Sequence, residues 1–353
     1  MGICDGRGAR GSRGRRWIWG SLAAALVLLV GAGGWVVYQN EYDLKEERVT
    51  VTGGKQPLQG ILARPTGGHG PYGLVVFVHG DGPTDATHDT FYRPIWEAMG
   101  KAGYATLSWD KPGVNGAPGN WLDQSIQDRT DETLAAIAWA KTQPGIDPDR
   151  IGLWGASQAG WVMPKAARQS PDVKFLIAVA PAINWLQQGR YNLLAELRER
   201  GATPAETEAA VARSDRTRAA LQAGQSFDQY KAGGGDVAGL TPQRWEFNKR
   251  NFRSDATEDL SQVRIPVQLI LGGQDVNVDI ADTEAGYRRL ITAPGSLQVL
   301  RFEDSTHNIV PKSIEDSELR STLLAIAAPR SLFTQGYLDG MKHFLSTLGT
   351  RKG

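Results

Sequence analysis

The chain has 353 residues, 39 Lys and Arg against 38 Asp and Glu, and a formal net charge of +1. Near-neutrality argues against a nucleic-acid partner held through its phosphates, and the single cysteine, Cys4, excludes an internal disulfide and any cysteine-based zinc site. With 41% hydrophobic and 22% charged residues the composition is that of a globular chain, long enough for one large α/β domain or two smaller ones.

The charge is unevenly spread. Residues 1–16 form a basic tail, with Arg7, Arg10, Arg13, Arg15 and Arg16 against Asp5, while residues 17–40 carry no charge. The centre of that second stretch, Leu22 to Val30, is apolar, and Trp17, Trp19, Trp35 and Tyr38 lie towards its ends. About 20 apolar residues span a bilayer as a helix, and Trp and Tyr mark its interfaces. Residues 17–40 therefore read as a transmembrane signal anchor in contact with a lipid bilayer. The basic end stays inside, and residues 41–353 are exported to the periplasm or the exterior. A signal peptide cut near Gly31-Ala32-Gly33, which would leave a secreted protein, is the alternative. Arg15-Arg16 also admits a twin-arginine export signal.

Beyond residue 41, short β-type runs alternate with helical patterns, as in a mostly parallel sheet covered by helices. Val49–Thr52, Gly53-Gly54 and Leu58–Ala63 predict an antiparallel hairpin. Leu74–Val78 is a continuous apolar run suited to a strand buried on both faces. A helix follows around Ile95–Ala102, then a strand at Tyr104–Trp109, a helix through Leu134–Trp139, and strands at Arg150–Trp154 and Phe175–Ala180. Residues 184–259 offer no strand. Thr203-Pro204-Ala205-Glu206 combines an N-cap, a proline at the first helical position and a capping-box acid, and helical patterning continues through Ala209–Arg213 and Ala219–Leu221. So long an insertion between strands predicts a helical cap, dividing the core into 41–183 and 260–353. Strands at Val267–Leu271 and Leu297–Phe302 and a last helix over 329–348 complete the pattern.

Chemistry is signalled where the Arg150–Trp154 strand ends. Gly155-Ala156-Ser157-Gln158-Ala159-Gly160 places a serine in a tight strand-to-helix turn flanked by small residues, the pattern of a nucleophile elbow. His79-Gly80-Asp81-Gly82 follows the first buried strand, Asp275 follows the Val267–Leu271 strand, and His307 follows the Leu297–Phe302 strand. Nucleophile, acid and base thus occur in one chain order, each past a strand's carboxyl end, where open α/β sheets place their sites.

With these parts the chain resembles the α/β-hydrolase superfamily, in particular bacterial dienelactone-hydrolase-like and prolyl-oligopeptidase-like serine hydrolases, over about residues 47–348. Trp109-Asp110-Lys111-Pro112-Gly113 is similar to the family's Tyr-Asp-Lys-Arg-Gly segment, and Ile146–Leu153 leads into the elbow as in those relatives. Gly160-Trp161-Val162-Met163-Pro164 resembles their Gly-Trp-x-x-Pro. Ala159 stands where the elbow glycine is usual, and Pro112 where an arginine is common. The resemblance implies an α/β-hydrolase fold; the 184–259 insertion adds a helical cap, residues 17–40 add one transmembrane helix, and hydrolysis through an acyl-enzyme would need no cofactor and no metal.

The expected roles follow. Ser157 attacks an acyl carbon, His307 takes its proton, and Asp275 orients the imidazole, with Asp279 as the competing acid. Backbone N–H groups of Gln158 and Asp81 would form the oxyanion hole, supported by His79, Gly80, Gly155 and Gly160. His79 is expected to orient its loop by hydrogen bonds, His88 to lie on the surface, and His69 and His343 to be structural. Trp185, Tyr191, Leu193 and Leu194 read as packing within the cap. Carboxylic esters of small molecules are the expected substrates. Peptides, thioesters or acyl transfer through the same triad are alternatives, and a catalytically silent, membrane-tethered binding module is the alternative of a different class.

Overall fold

The computed structural model describes residues 31–350. The basic tail and residues 17–30 of the expected membrane span lie outside the described residues. Residues 31–40 form a helix (α1), and no helix among the described residues is long and apolar enough to cross a membrane.

Eight strands make one sheet: β1 (Leu44–Val51), β2 (Leu58–Pro65), β3 (Tyr72–Val78), β4 (Tyr104–Trp109), β5 (Ile146–Ala156), β6 (Val173–Val179), β7 (Val267–Gly272) and β8 (Leu297–Phe302). Their order is β1-β2-β4-β3-β5-β6-β7-β8. The opening hairpin pairs antiparallel, β2 joins β4 antiparallel, and every later pairing is parallel. This is an α/β-hydrolase fold.

Strand β3 shows why an unbroken apolar run suits a central strand. Leu74, Val76 and Val78 face one core, shared with α3 (Ile126–Ala140), α4 (Ala159–Gln169) and α10 (Ile280–Leu290). Val75 and Phe77 face the other, shared with α2 (Arg93–Gly100) and α13 (Tyr337–Thr350). Each fully buried Val, Leu or Phe contributes about 1.5–3 kcal/mol, so both faces of the run hold the strand in the middle of the sheet. The expected last helix over 329–348 is divided. A 3₁₀ turn at Pro329–Leu332 ends where Phe333 is extended, Gly336 takes a φ of +90°, and α13 begins at Tyr337.

Between β6 and β7 the chain forms only helices: α5 (Trp185–Glu199), α6 (Pro204–Gln222), α7 (Phe227–Ala232), α8 (Pro242–Asn251) and α9 (Thr257–Ser261). Thr203 and Glu206 close the capping box at the start of α6. This insertion has its own small core, in which Tyr230 stacks on Trp245 at 4.4 Å. Buried Asn251 fastens it to the sheet domain. Its side chain accepts from Ile126 N and donates to Gln124 O, each at 3.0 Å, at the N-terminus of α3. After β8 come α11 (Lys312–Glu315) and α12 (Glu318–Ala327).

Candidate active site

Strand β5 delivers Ser157 into a turn with a φ of +55°, a left-handed conformation that is strained for a side chain bearing a Cβ. The turn is held by Ser157 N donating to Val179 O at 3.0 Å, and by Gly160 N and Ala182 N donating to Ser157 O at 2.9 and 3.2 Å. A Cβ on Gly155 would sit 2.5 Å from Ala159 Cβ and 2.8 Å from Val78 O, and one on Gly160 would sit 2.5 Å from Ala182 O. The turn therefore needs glycine at 155 and 160, while the Cβ of Ala159 fits, fully buried, against Gly155.

The acid and the histidine are brought together by two adjoining loops. Gly273 N donates to Phe302 O and Gln274 N to Ser305 O, both at 2.8 Å. The backbones lie so close that a Cβ on Gly272 would meet Thr306 O at 2.1 Å, and one on Gly273 would meet Glu303 O at 2.3 Å. This seats the buried Asp275 with Oδ2 2.7 Å from His307 Nδ1. Oδ1 accepts from Asn277 N at 2.7 Å and Val278 N at 2.9 Å. A carboxylate so supplied can only accept, so Nδ1 carries the imidazole proton and Nε2 is left with its lone pair. The competing acid, Asp279, caps α10 instead, accepting from Ala281 N and Asp282 N at 3.1 Å each.

On the other side of the serine lies the loop after β3. Gly80 abuts the elbow, where an added Cβ would lie 3.6 Å from Ser157 Cβ. His79 is buried and fixed at both nitrogens, with Nε2 2.6 Å from Trp109 O and Nδ1 3.1 Å from Tyr92 Oη. The carbonyl can only accept, so Nε2 is protonated and Nδ1 accepts from the tyrosine. Burial, with the Lys111 charge as a smaller contributor, lowers the His79 pKa to about 3, so the ring is neutral.

Two cations that sequence reading left without a role hold this loop. Lys111, buried, donates from Nζ to Gly80 O at 2.6 Å and Gly82 O at 2.7 Å, and burial lowers its pKa well below the usual lysine value. Arg129, also buried, donates to Gln158 Oε1 and His79 O, joining the residue after the serine to the loop after β3. From the cap, Arg244 makes a two-pronged pair with Asp81, with Nη1 to Oδ1 at 3.0 Å, while its guanidinium lies 4.8 Å from the Phe247 ring. Gln158 Nε2 also donates to Asp81 Oδ1, at 3.2 Å. Neither the Gln158 nor the Asp81 backbone amide has a partner among the described residues.

Of the remaining residues singled out, His69 and His343 are exposed and take no part. His88 is exposed as expected, but its ring packs 5.1 Å from that of Tyr92 on the rim of the serine's cavity. Trp185 stacks on Trp161 of α4 at 4.9 Å, so it packs the cap onto the core. Tyr191 donates to Asp275 O at 2.9 Å and steadies the acid's loop. Among the described residues no group of three or more His, Cys, Asp or Glu could hold a metal ion.

Ser157 and His307 line one cavity of about 260 Å³, walled mainly by Phe91, Tyr92, Trp154, Val179 and Tyr337. Asp81 is its only carboxylate among the described lining residues. A larger polar cleft of about 640 Å³, beside Glu46, Asp85 and Arg93, contains neither Ser157 nor His307.

The family model of the X-Pro dipeptidyl-peptidase (S15 family) matches residues 53–308. A thiohydrolase, aneE, from Aspergillus aculeatus is 27% identical over 234 residues, 60% of this chain and 72% of its own length. Three further curated relatives match over less than a third of their own length, among them an uncharacterised 31.7 kDa Escherichia coli protein, 35% identical over 81 residues, 23% of this chain and 28% of its own. Among solved structures, the Pyrococcus furiosus esterase PF2001 aligns with a TM-score of 0.55 at 15% identity, over 87% of this chain and 91% of its own. Est1E from Butyrivibrio proteoclasticus, with ferulic acid bound, aligns with a TM-score of 0.53 at 15% identity, over 86% of this chain and 98% of its own. At that identity the two structures share the fold.

Proposed function

The chain belongs to the X-Pro dipeptidyl-peptidase (S15) family and is a serine hydrolase of the α/β-hydrolase type; on that premise we propose that it cleaves carboxylic esters of compact apolar acyl groups, using Ser157, His307 and Asp275. The observation that carries the reading is the cavity at Ser157. Its walls are aromatic and aliphatic, and its carboxylate, Asp81, is committed to Arg244. An enzyme that removes a dipeptide from a chain's amino end must hold an α-ammonium, which calls for an unpaired carboxylate. A neutral acyl group needs none, and a volume of about 260 Å³ suits one that is small or aromatic. The Butyrivibrio enzyme that binds ferulic acid suggests aromatic acyl groups for the first trials.

The His307–Asp275 hydrogen bond and the cavity that Ser157 and His307 share support the following chemistry. His307 Nε2 accepts the Ser157 proton as Oγ adds to the acyl carbon, and the Nδ1 pair with Asp275 stabilises the resulting imidazolium. The oxyanion is held by the amides of Gln158 and Asp81, one such donor being worth about 3–4 kcal/mol. The imidazolium then protonates the departing alkoxide as an alcohol. Water, deprotonated by the same nitrogen, attacks the acyl-serine, and the acid leaves while Ser157 regains its proton. A thioester reading has one specific support, the thiohydrolase relative matched over 72% of its length, and uses the same steps with a thiolate leaving.

We place this activity at a membrane, with residues 17–40 as the anchor and the catalytic domain on the exported face. The test is labelling with a fluorophosphonate probe, followed by kcat/KM for aryl esters, thioesters and an X-Pro anilide. Wild type labels and prefers esters, while Ser157→Ala neither labels nor turns over. Labelling that survives Ser157→Ala removes the nucleophile assignment, and preference for the anilide removes the ester reading.

A further inference from the structure

Helix α12 buries none of its residues, although it carries three leucines and an isoleucine. Leu319, Leu323 and Ile326 recur at intervals of four and three, one stripe of a helix, and are 70%, 56% and 54% exposed. The other exposed large apolar side chains among the described residues are Trp35, Val37 and Tyr38 of α1, at 54%, 60% and 67%.

The two helices are locked together. Trp35 Nε1 donates to Ala327 O at 2.9 Å and Asn40 Nδ2 to Ile326 O at 2.8 Å. Arg330 secures the connection to the core. It donates to Gln39 O at 2.6 Å and Glu41 O at 2.7 Å, and its other edge pairs with the buried Glu97, Nε to Oε2 at 2.7 Å. Asp43 N donates to Glu97 Oε1 at 3.2 Å, one residue before β1 begins. No slack separates α1 from the sheet. In sequence, the charge-free residues 17–30 run directly into α1, whose exposed side carries part of this apolar face.

We propose that α12 and the exposed side of α1 form a bilayer-resting face, on which the catalytic domain sits in a fixed orientation; this rests on the reading of residues 17–40 as an anchor. Leu319, Leu323 and Ile326 enter the interfacial zone as an amphipathic helix does, with Trp35 and Tyr38 at the level of the headgroups. A second copy of the chain is the weaker occupant. A stable dimer takes about 20–30 residues from each partner, and six apolar side chains fall far short of that. A bilayer needs only a small patch because the neighbouring apolar segment supplies the rest of the attraction.

The test uses the full-length chain with Cys4→Ser, its only cysteine removed. Single cysteines are placed by Leu319→Cys, Leu323→Cys, Ile326→Cys or, as a control on the cap, Glu208→Cys. Each carries an environment-sensitive fluorophore and is reconstituted into phosphatidylcholine–phosphatidylglycerol vesicles. Hydrolysis of a soluble ester reports that each variant is folded. Flotation with the vesicles, blue-shifted emission at 319, 323 and 326, and strong quenching there by brominated lipid but not at 208 are the expected results. Flotation with the α12 probes open to aqueous iodide overturns the resting face and leaves the anchor standing. Probes shielded from both quenchers mean that protein covers the stripe, which also overturns the proposal. Failure to float overturns the anchor and this inference together.

Discussion

Arg129 carries more of the site than its place near the start of α3 suggests. Its buried guanidinium joins Gln158, whose backbone amide is one proposed oxyanion donor, to the carbonyl of His79 beside the loop that offers the other. Burial lowers its pKa, yet arginine retains its charge at working pH. Methionine at this position would leave two buried acceptors without a donor, a loss of about 2–3 kcal/mol. Arg129→Met should lower the unfolding midpoint accordingly and reduce kcat by roughly 10- to 100-fold, since a displaced oxyanion donor acts mainly in the transition state. KM should change little. A variant with normal kcat and a lowered melting point would make Arg129 purely structural.

At the scale of elements, the cap meets the site through α8. Arg244 pairs with Asp81 across 163 residues of sequence, and Asn251 bridges to the start of α3 across 125. Both partners of the Arg244–Asp81 pair are partly exposed, so its loss should move stability by under about 1 kcal/mol. Its functional effect should be larger. Arg244→Gln frees the Asp81 carboxylate and loosens the loop that offers the Asp81 amide, so kcat/KM for neutral esters should fall several-fold. Substrates with an ammonium group should gain relative to them, because an unpaired carboxylate now faces the cavity. Stopped assays on a neutral and an amino-bearing ester check this, and an unchanged ratio refutes the coupling. Neither the Arg244 nor the Asn251 contact is readable from sequence, because each pairs residues far apart that show no local pattern. The capping box at Thr203 is readable, since its partners lie three residues apart and satisfy each other directly. The backbone contact of Gly272 and Gly273 with the His307 loop falls between these cases. Two consecutive glycines after a strand mark close approach, but only the fold tells to what.

For the molecule as a whole, the sheet was legible because strands buried on both faces favour unbroken apolar runs, and β3 and β6 supply them over residues 74–78 and 175–179. Buried charge was not legible, since no periodicity distinguishes Lys111 and Arg129 from surface cations, and those charges help to set how the whole fold responds to acid. A neutral His79 with a pKa near 3 binds its proton more weakly in the folded chain than in the unfolded one, where histidine titrates near 6.5. As pH falls below about 6.5 the unfolded state takes up the proton first, and stability declines by up to about 1.4 kcal/mol per pH unit until the folded-state pKa is reached. Carboxylates contribute lower down. Burial pushes the Glu97 carboxyl up, but hydrogen bonds led by Arg330 hold it at about 2, so its contribution is lost only below about pH 4.5. Although His88 is exposed as a residue, its ring is partly shielded from water where it packs on Tyr92, which lowers its pKa and adds a loss of the same sign. The His79 share is therefore isolated by comparing wild type with His79→Gln between pH 5 and 6.5. Urea midpoints of the full-length protein in detergent should fall with acid in wild type and fall less steeply in the variant. Equal slopes would mean that the proton is taken up elsewhere, and that the loop after β3 is not the acid-sensitive point of the fold.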